Sequence, residues 1–161
     1  MHRKRIVNAS PLIFLSKLDH LDLLQVEADE VIVPDRVIAE ILAYGATDLT
    51  VQAIQKTPWL RIVPTPLFPP TVTSWNLGDG ETSVLSVALG ESGAQVVLDD
   101  RPARLRAAQL GLTVLGTVGL VVLARQKGAI PAARPVIEEL RRVGMYLTDE
   151  FVKRIYHLVG E

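Results

Sequence analysis

Short, continuous apolar runs alternate with longer segments of helical spacing along almost the whole chain. The apolar runs predict strands at residues 5–7, 31–33, 95–98 and 113–115, and residues 60–63 predict a further strand or an edge. The other segments predict helices at residues 11–17, 35–42, 49–56, 81–91, 101–108, 117–127, 132–143 and 148–158. Strands that are apolar throughout are typical of parallel sheets, because helices cover both faces. The pattern therefore predicts an α/β fold of three layers (αβα), with a central parallel sheet.

One long stretch falls outside this alternation. Residues 64–76 include Pro64, Pro66, Pro69 and Pro70, and they predict a loop. A domain boundary there would leave each half too small to bury a core of its own. The chain of 161 residues is 48% hydrophobic and has no internal repeat, so we expect a single domain over residues 1–161.

Composition excludes several kinds of chemistry. The chain has no cysteine, which excludes disulfides, thiolate catalysis and zinc–cysteine sites. Its formal net charge of -1 gives no general attraction for nucleic acid, so any phosphate backbone would have to meet a local basic patch. Polar residues interrupt the first apolar run, and the run at residues 112–124 is too short to span a bilayer. We expect a cytoplasmic protein that has no membrane segment.

Four carboxylates stand beside apolar segments where predicted strands lead into helices. They are Glu40, Glu81, Asp99 and Asp100. Sites in open parallel sheets form at the carboxyl ends of the strands, and Asn8 is also expected there. Ionised acids gathered at one place repel each other by about 3 kcal/mol per pair, for a separation of ~5 Å and an effective dielectric of ~20. Convergence of these acids would therefore favour a bound divalent cation.

Each of these acids also has an ordinary structural interpretation. Glu81 lies on the same helical stripe as Leu85, which predicts that its side chain tilts inward. Glu40 shares a predicted face with Ile41 and Tyr44 in the same way. Glu81 could instead stabilise a helix N-terminus, and Glu40 could be a solvated acid. One of the two adjacent aspartates could be a helix N-cap, which leaves the other in need of a role.

Other classes of site find less support. His2, His20 and His157 do not have the spacing of zinc ligands. The chain lacks a Gly-x-Ser-x-Gly elbow, a Walker loop and a Gly-x-Gly-x-x-Gly fingerprint. Trp59 and Trp75 flank the proline-rich loop, and we interpret them as local core in preference to stacking platforms.

Several segments occur in a familiar order. They are residues 6–13, Val33-Pro34 with Glu40, residues 78–81 with Ala88, residues 97–100 with Ala103-Arg104, and residues 116–119. Their order and spacing resemble those of PIN domains, the nuclease fold of VapC-type bacterial toxins. The resemblance covers essentially the whole chain and is closest to a PIN-like subfamily whose members are mostly uncharacterised. It implies a parallel sheet flanked by helices and an acidic Mg²⁺ or Mn²⁺ site that hydrolyses RNA phosphodiesters.

The resemblance also implies roles for individual residues. The catalytic and metal-binding acids of the family correspond to Glu40, Glu81 and Asp100. Asp99 is implied as an additional metal ligand, and Ser10 matches a hydroxyl that supports the site in relatives.

Two features near these acids qualify the implied site. The first strand of a PIN domain typically ends in aspartate, whereas this chain has Asn8 there. Asparagine still offers a carbonyl oxygen to a hard cation, but it removes one negative charge, so metal affinity should fall. Arg101, Arg104 and Arg106 follow the acid pair and are candidate phosphate contacts, or else a solvated helix face.

Two functional hypotheses follow from the resemblance. The first is a metal-dependent endoribonuclease that acts as the toxin of a toxin–antitoxin pair, with RNA as substrate, an antitoxin protein as partner and homodimerisation as in relatives. The second is a degenerate PIN-like domain that binds RNA or a protein without cutting, which Asn8 favours. A phosphoacceptor receiver domain fits poorly, because the chain lacks an acidic pair after its first strand and a lysine after its last.

Overall fold

The structure, a computed structural model, describes residues 2–161, and Met1 lies outside the described residues. The strands are β1 (Lys4–Val7), β2 (Glu30–Pro34), β3 (Leu60–Val63), β4 (Gln95–Val97) and β5 (Thr113–Leu115). The helices are α1 (Ala9–Lys17), α2 (Asp35–Leu42), α3 (Leu49–Gln55), α4 (Pro70–Thr73), α5 (Asp79–Leu89), α6 (Arg101–Gln109), α7 (Thr117–Gln126), α8 (Arg134–Arg142) and α9 (Asp149–Val159). A short 3-10 helix covers Leu21–Gln25.

The strands form one sheet in the order β3-β2-β1-β4-β5, and every pair is parallel. In the central strand, Ile6 pairs with Ile32 on one side and with Val96 on the other, and all three are fully buried. Helix α5 packs across β1, β2 and β4, whereas α1 packs with α3 and α7. Helices therefore cover the sheet, and the predicted three-layer α/β architecture is confirmed.

The strands lie where the apolar runs predict them, and the helices differ from the prediction mainly at their ends. Helix α5 begins at Asp79 because Gly78 precedes it as the N-cap and acids favour the first turn. The predicted loop at residues 64–76 is wrong in one part, since it contains the single turn of α4. Pro70 stands at the start of this turn, where proline needs no hydrogen-bond donor. Trp59 and Trp75 are partly buried against the core, as predicted.

A buried arginine fixes the 3-10 helix, which no sequence pattern indicated. Arg5 on β1 is 2% exposed, and its Nη1 donates to the carbonyl oxygens of Leu24 at 2.7 Å and Val26 at 2.8 Å. Its Nε donates to Gln95 Oε1 at 2.7 Å. Burial lowers the pKa of Arg5 to about 10. The guanidinium thus holds the end of the 3-10 helix against the sheet.

The most apolar stretch of the chain, residues 112–124, is divided between β5 and α7. Leu120, Val121 and Ala124 on α7 are fully buried, and this helix packs against α1, α8 and α9. The apolar character of α7 is therefore explained by the core. Within residues 2–161, no helix has the length and apolar character that crossing a membrane requires.

Candidate active site at the carboxyl edge of the sheet

The central strands bring Asn8 and Asp99 to the same edge of the sheet. Asn8 directly follows β1, and its backbone N–H donates to the carbonyl of Val97 at 3.2 Å. Leu98 continues the ladder beyond β4 by donating to the carbonyl of Leu115 at 2.9 Å, and Asp99 comes next. These positions agree with the rule that sites form where parallel strands end.

Asn8, Glu40 and Glu81 form a cluster around the first turn of α5. A Cβ atom built on Gly80 would lie 2.8 Å from Glu40 Oε2 and 2.9 Å from Asn8 Oδ1. Only glycine leaves room there, so Gly80 allows both oxygens to approach the helix backbone. Asn8 Nδ2 donates to Glu81 Oε1 at 3.3 Å, which joins the third member to the cluster. Sequence reasoning did not identify Gly80, because its role depends on contacts between distant elements.

The amide oxygen of Asn8 is the most unusual atom in this cluster. Asn8 is 4% exposed, and its Oδ1 is buried without a hydrogen-bond partner among residues 2–161. An unpaired buried acceptor costs about 1–3 kcal/mol, so native proteins seldom retain one without a reason. A hard cation would satisfy this oxygen, since amide carbonyl and carboxylate oxygens are its usual ligands.

The surroundings of Glu40 disfavour its charged form. Burial raises the pKa of its carboxyl group, and the charges of Glu81 and Asp79 raise it further. The side chain as a whole remains exposed, as does Tyr44, so the predicted inward face of α2 is wrong at these two positions. Although the residue as a whole is exposed, its carboxylate oxygen Oε2 lies against Gly80, and this oxygen accounts for the raised pKa.

A glutamine at position 40 is expected to change how stability depends on pH. A raised pKa means that folded Glu40 keeps its proton to a higher pH than the unfolded chain does, so stability falls as pH rises through that interval. In metal-free buffer, Glu40→Gln should match the wild type below about pH 4 and become the more stable protein at higher pH. Thermal unfolding between pH 3.5 and 8 would show this trend, and a difference independent of pH would contradict it. Exposed Glu138→Gln is the matched control.

Asp99 is held by three hydrogen bonds from two other elements. Its Oδ2 accepts from Ser10 Oγ at 2.7 Å and from Thr117 Oγ1 at 2.8 Å, and its Oδ1 accepts from the backbone N–H of Thr117 at 2.8 Å. Thr117 is fully buried at the start of α7. This arrangement fixes the carboxylate beside the end of β1. Sequence reasoning missed Thr117 as a site residue, although its segment was part of the resemblance.

Asp100 has a different environment from its neighbour. It is exposed, and its Oδ2 accepts from the backbone N–H of Ala103 at 3.1 Å, so it is the N-cap of α6. The ordinary interpretation of one of the two aspartates therefore applies to Asp100. Asp79 is also exposed, and it accepts from Arg36 Nη1 at 3.0 Å.

The three arginines after the acid pair do not act alike. Arg104 Nη1 donates to the carbonyl of Leu98 at 2.8 Å, and it lines the same cavity as Arg101 and Asp99. Arg106 instead lies over the ring of Trp75, 5.0 Å from its centroid. Of these three arginines, Arg101 and Arg104 therefore border Asp99, and Arg106 does not.

The four acids do not form one compact cluster. Among the described residues, no three His, Cys, Asp or Glu side chains are grouped so that they could hold a metal ion. The structure instead groups Asn8 with Glu40 and Glu81, and it holds Asp99 on Ser10 and Thr117 nearby. The candidate ligand atoms around Asn8 are all oxygens, and Asn8 Oδ1 lacks a partner among the described residues. The residues present therefore fit a Mg²⁺ or Mn²⁺ ion by their chemistry.

Comparisons with known proteins agree with the architecture described above. A comparison with curated proteins gives no significant match. The profile of a domain family, DUF3368, described as a PIN domain, matches residues 4–161. A match over nearly the whole chain, together with the parallel sheet and its helical layers, shows that this chain belongs to the PIN domain family.

Proposed function

We propose that the protein is a divalent-metal-dependent endoribonuclease. PIN domains have a nuclease-type fold, and the chain belongs to this family over residues 4–161. The observation that carries the proposal is the buried Oδ1 of Asn8, which lacks a partner among the described residues and lies beside Glu40 and Glu81. A site without a ligand role would be expected to pair this oxygen with a donor.

We assign different roles in phosphodiester hydrolysis to the residues of the site. Asn8 Oδ1, Glu40 and Glu81 would hold Mg²⁺ or Mn²⁺, and a bound ion of this kind lowers the pKa of water and stabilises charge that develops on a phosphate. Glu81 orients the attacking water and accepts its proton, while the amide of Asn8 fixes the direction of that carboxylate. Ser10 and Thr117 hold Asp99 in place as a further oxygen ligand.

The phosphate side of the site is supplied by the start of α6. Arg101 and Arg104 lie within the same segment as Asp99 and share its cavity. Guanidinium groups bind phosphate oxygens well, because their planar donors can contact two oxygens at once. We assign substrate phosphate to these two arginines and leave Arg106, which stacks on Trp75, out of the site.

A direct test is cleavage of a mixed, unstructured RNA by the purified protein. We expect cleavage with Mg²⁺ or Mn²⁺, none with EDTA, and recovery when Mn²⁺ is added back. The Glu81→Gln protein, purified in parallel, guards against a contaminating nuclease. Equal cleavage by both proteins would identify contamination, and cleavage that survives EDTA would contradict the metal-dependent mechanism.

The second candidate function is a PIN domain that binds RNA or a protein without cutting it. Asn8 favours this candidate, because it supplies one negative charge less than an aspartate would. The grouping of Glu40 and Glu81 around Asn8 favours retained catalysis. Metal binding without any turnover would support the second candidate.

Asn8→Asp is expected to tighten the binding of Mg²⁺ while lowering stability in its absence. An aspartate adds a negative charge to the cation site but loses the hydrogen bond to Glu81 and faces its carboxylate. Thermal unfolding with EDTA and with increasing Mg²⁺ would show a lower starting midpoint and a larger rise. Asn76→Asp, in the exposed loop before α5, is the matched control and should show neither effect.

We extend the proposal to a toxin that a cognate antitoxin protein restrains and that can form a homodimer. The support is the resemblance to VapC-type toxins given above, together with membership of the PIN domain family. Expression in a bacterial host would arrest growth for the wild type and not for Glu81→Gln, if RNA cleavage is the toxic activity. Growth arrest by both proteins would place toxicity elsewhere.

A further inference from the structure

A cavity of about 850 Å³ opens directly beside Asp99. Ser10 and Asp99, which are hydrogen-bonded at 2.7 Å, line one part of it. The charged residues of its lining come from one short segment between β4 and α6, which contains Asp99, Asp100, Arg101 and Arg104. The cavity therefore adjoins the candidate active site at Ser10 and Asp99, whereas Asn8, Glu40 and Glu81 do not line it.

The remaining lining is mainly apolar and partly aromatic. It includes Phe14, Leu115, Met145, Leu147, Phe151 and Ile155. Tyr146 also borders the cavity, in the segment between α8 and α9, and it is 88% exposed. A tyrosine ring this open has lost almost none of its apolar surface to the core, so a flat ligand could still stack on it.

We propose that this cavity is a subsite for one unpaired nucleobase of single-stranded RNA, next to the phosphate that is cut. The inference rests on the proposed function and adds what the substrate must look like. A volume of about 850 Å³ suits one nucleotide, since small-molecule pockets span roughly 300–1,000 Å³.

The distribution of charge favours a nucleotide over a hydrophobic peptide as the occupant. A nucleotide has a flat apolar base at one end and an anionic phosphate at the other. Arg101 and Arg104 border the cavity together with Asp99 and would contact that phosphate, while the apolar lining would contact the base. Bases in a duplex are stacked and paired, so only an unpaired base can enter. The enzyme should therefore require single-stranded RNA.

Tyr146 provides the first test, because so exposed a ring can be removed without disturbing the core. In the Glu81→Gln background, binding of a fluorescein-labelled, unstructured 12-nucleotide RNA is measured by anisotropy. Tyr146→Ala should weaken binding about tenfold, the loss of one base–aromatic stack. Tyr146→Phe keeps the ring and should bind like its parent. Tyr44→Ala, an exposed tyrosine outside the cavity, is the matched control.

Filling the cavity provides a second variant. Gly119 lines it on α7, and a Cβ there would lie 3.1 Å from Leu115 Cδ2, a flexible atom of the same lining. Gly119→Leu should occupy the space of the base and weaken RNA binding by a similar factor. Leucine favours the helix more than glycine does, but the tight contact with Leu115 opposes it, so thermal unfolding of this variant is measured beside its RNA binding. Unchanged RNA binding by this folded variant would contradict the subsite.

The decisive experiment combines the variant with a changed RNA. Abasic nucleotides are placed one at a time along the 12-nucleotide RNA, and binding to the Glu81→Gln protein should weaken at one or two positions. Those positions should have no effect on the protein that also carries Tyr146→Ala, because the stacked base is already lost. Equal abasic effects on both proteins would overturn the subsite and leave the ribonuclease intact. Failure of the wild-type protein with Mg²⁺ either to bind or to cleave the unmodified RNA would overturn both proposals, and binding of an apolar peptide alone would identify a protein-docking cavity instead.

Discussion

Glu81→Gln is expected to lower the rate of metal-dependent RNA cleavage by about 10²–10⁴-fold, the range for loss of a general base. Glutamine keeps the length of the side chain and an oxygen that can accept from Asn8 Nδ2. It removes the negative charge that would bind a cation and the group that would accept a proton from water. The loss should therefore appear in kcat and in metal affinity together.

The fold of this variant should remain intact. The charge of Glu81 raises the pKa of Glu40, so its removal relieves repulsion in the metal-free protein. We expect an equal or higher thermal midpoint in EDTA, which separates a catalytic defect from unfolding. Glu138→Gln, an exposed acid on α8, should keep the wild-type rate. Full activity of Glu81→Gln that still needs metal would show that the ligand set is misassigned.

The positions of the central strands β1, β2 and β4 could be predicted because each contains a short apolar run without alternation, such as Val31-Ile32-Val33. That pattern reflects burial on both faces and does not depend on any single contact. The predicted topology then placed Asn8 and Asp99 at one edge, because parallel strands end on the same side of a sheet. The hydrogen bond from Asn8 to the carbonyl of Val97 shows how closely those two ends meet.

What the sequence could not supply is the direction of individual side chains. Periodicity put Glu40 on a face with Ile41, yet only Ile41 is buried, because α5 and the neighbouring elements cover a narrower stripe of α2 than predicted. Gly80 lies against Glu40, which is 40 positions earlier in the chain. Thr117 contacts Asp99, which is 18 positions earlier. No local pattern encodes such contacts.

Adjacent aspartates illustrate the same limit. Both Asp99 and Asp100 follow β4, and the resemblance assigned the catalytic role to Asp100 with Asp99 as an additional ligand. In the structure Asp100 faces the N-terminus of α6, whereas Asp99 faces Ser10 and Thr117. Successive side chains of an extended segment point in different directions, so the two carboxylates have different partners.

The geometry therefore predicts different results for the two aspartates. Asp99→Asn should lower the rate of RNA cleavage by at least about 100-fold, because it removes a charge at the site and gives Ser10 and Thr117 an amide to contact. Asp100→Asn should leave the rate within the same order of magnitude. Asparagine is as good an N-cap as aspartate, so stability should also be nearly unchanged.

Measurement of kcat/KM for both variants, with Mn²⁺ affinity from calorimetry, would separate the two assignments. Loss of activity and of Mn²⁺ binding in Asp99→Asn alone would place the fourth oxygen ligand on the side of Ser10. Loss in Asp100→Asn alone, with its stability unchanged, would mean that its side chain leaves the α6 N-cap to bind the cation. The Ala103 N–H would then lose its acceptor, so adding Mn²⁺ to the wild type would weaken the start of α6. Hydrogen exchange at the Ala103 amide, with and without Mn²⁺, would detect that change directly.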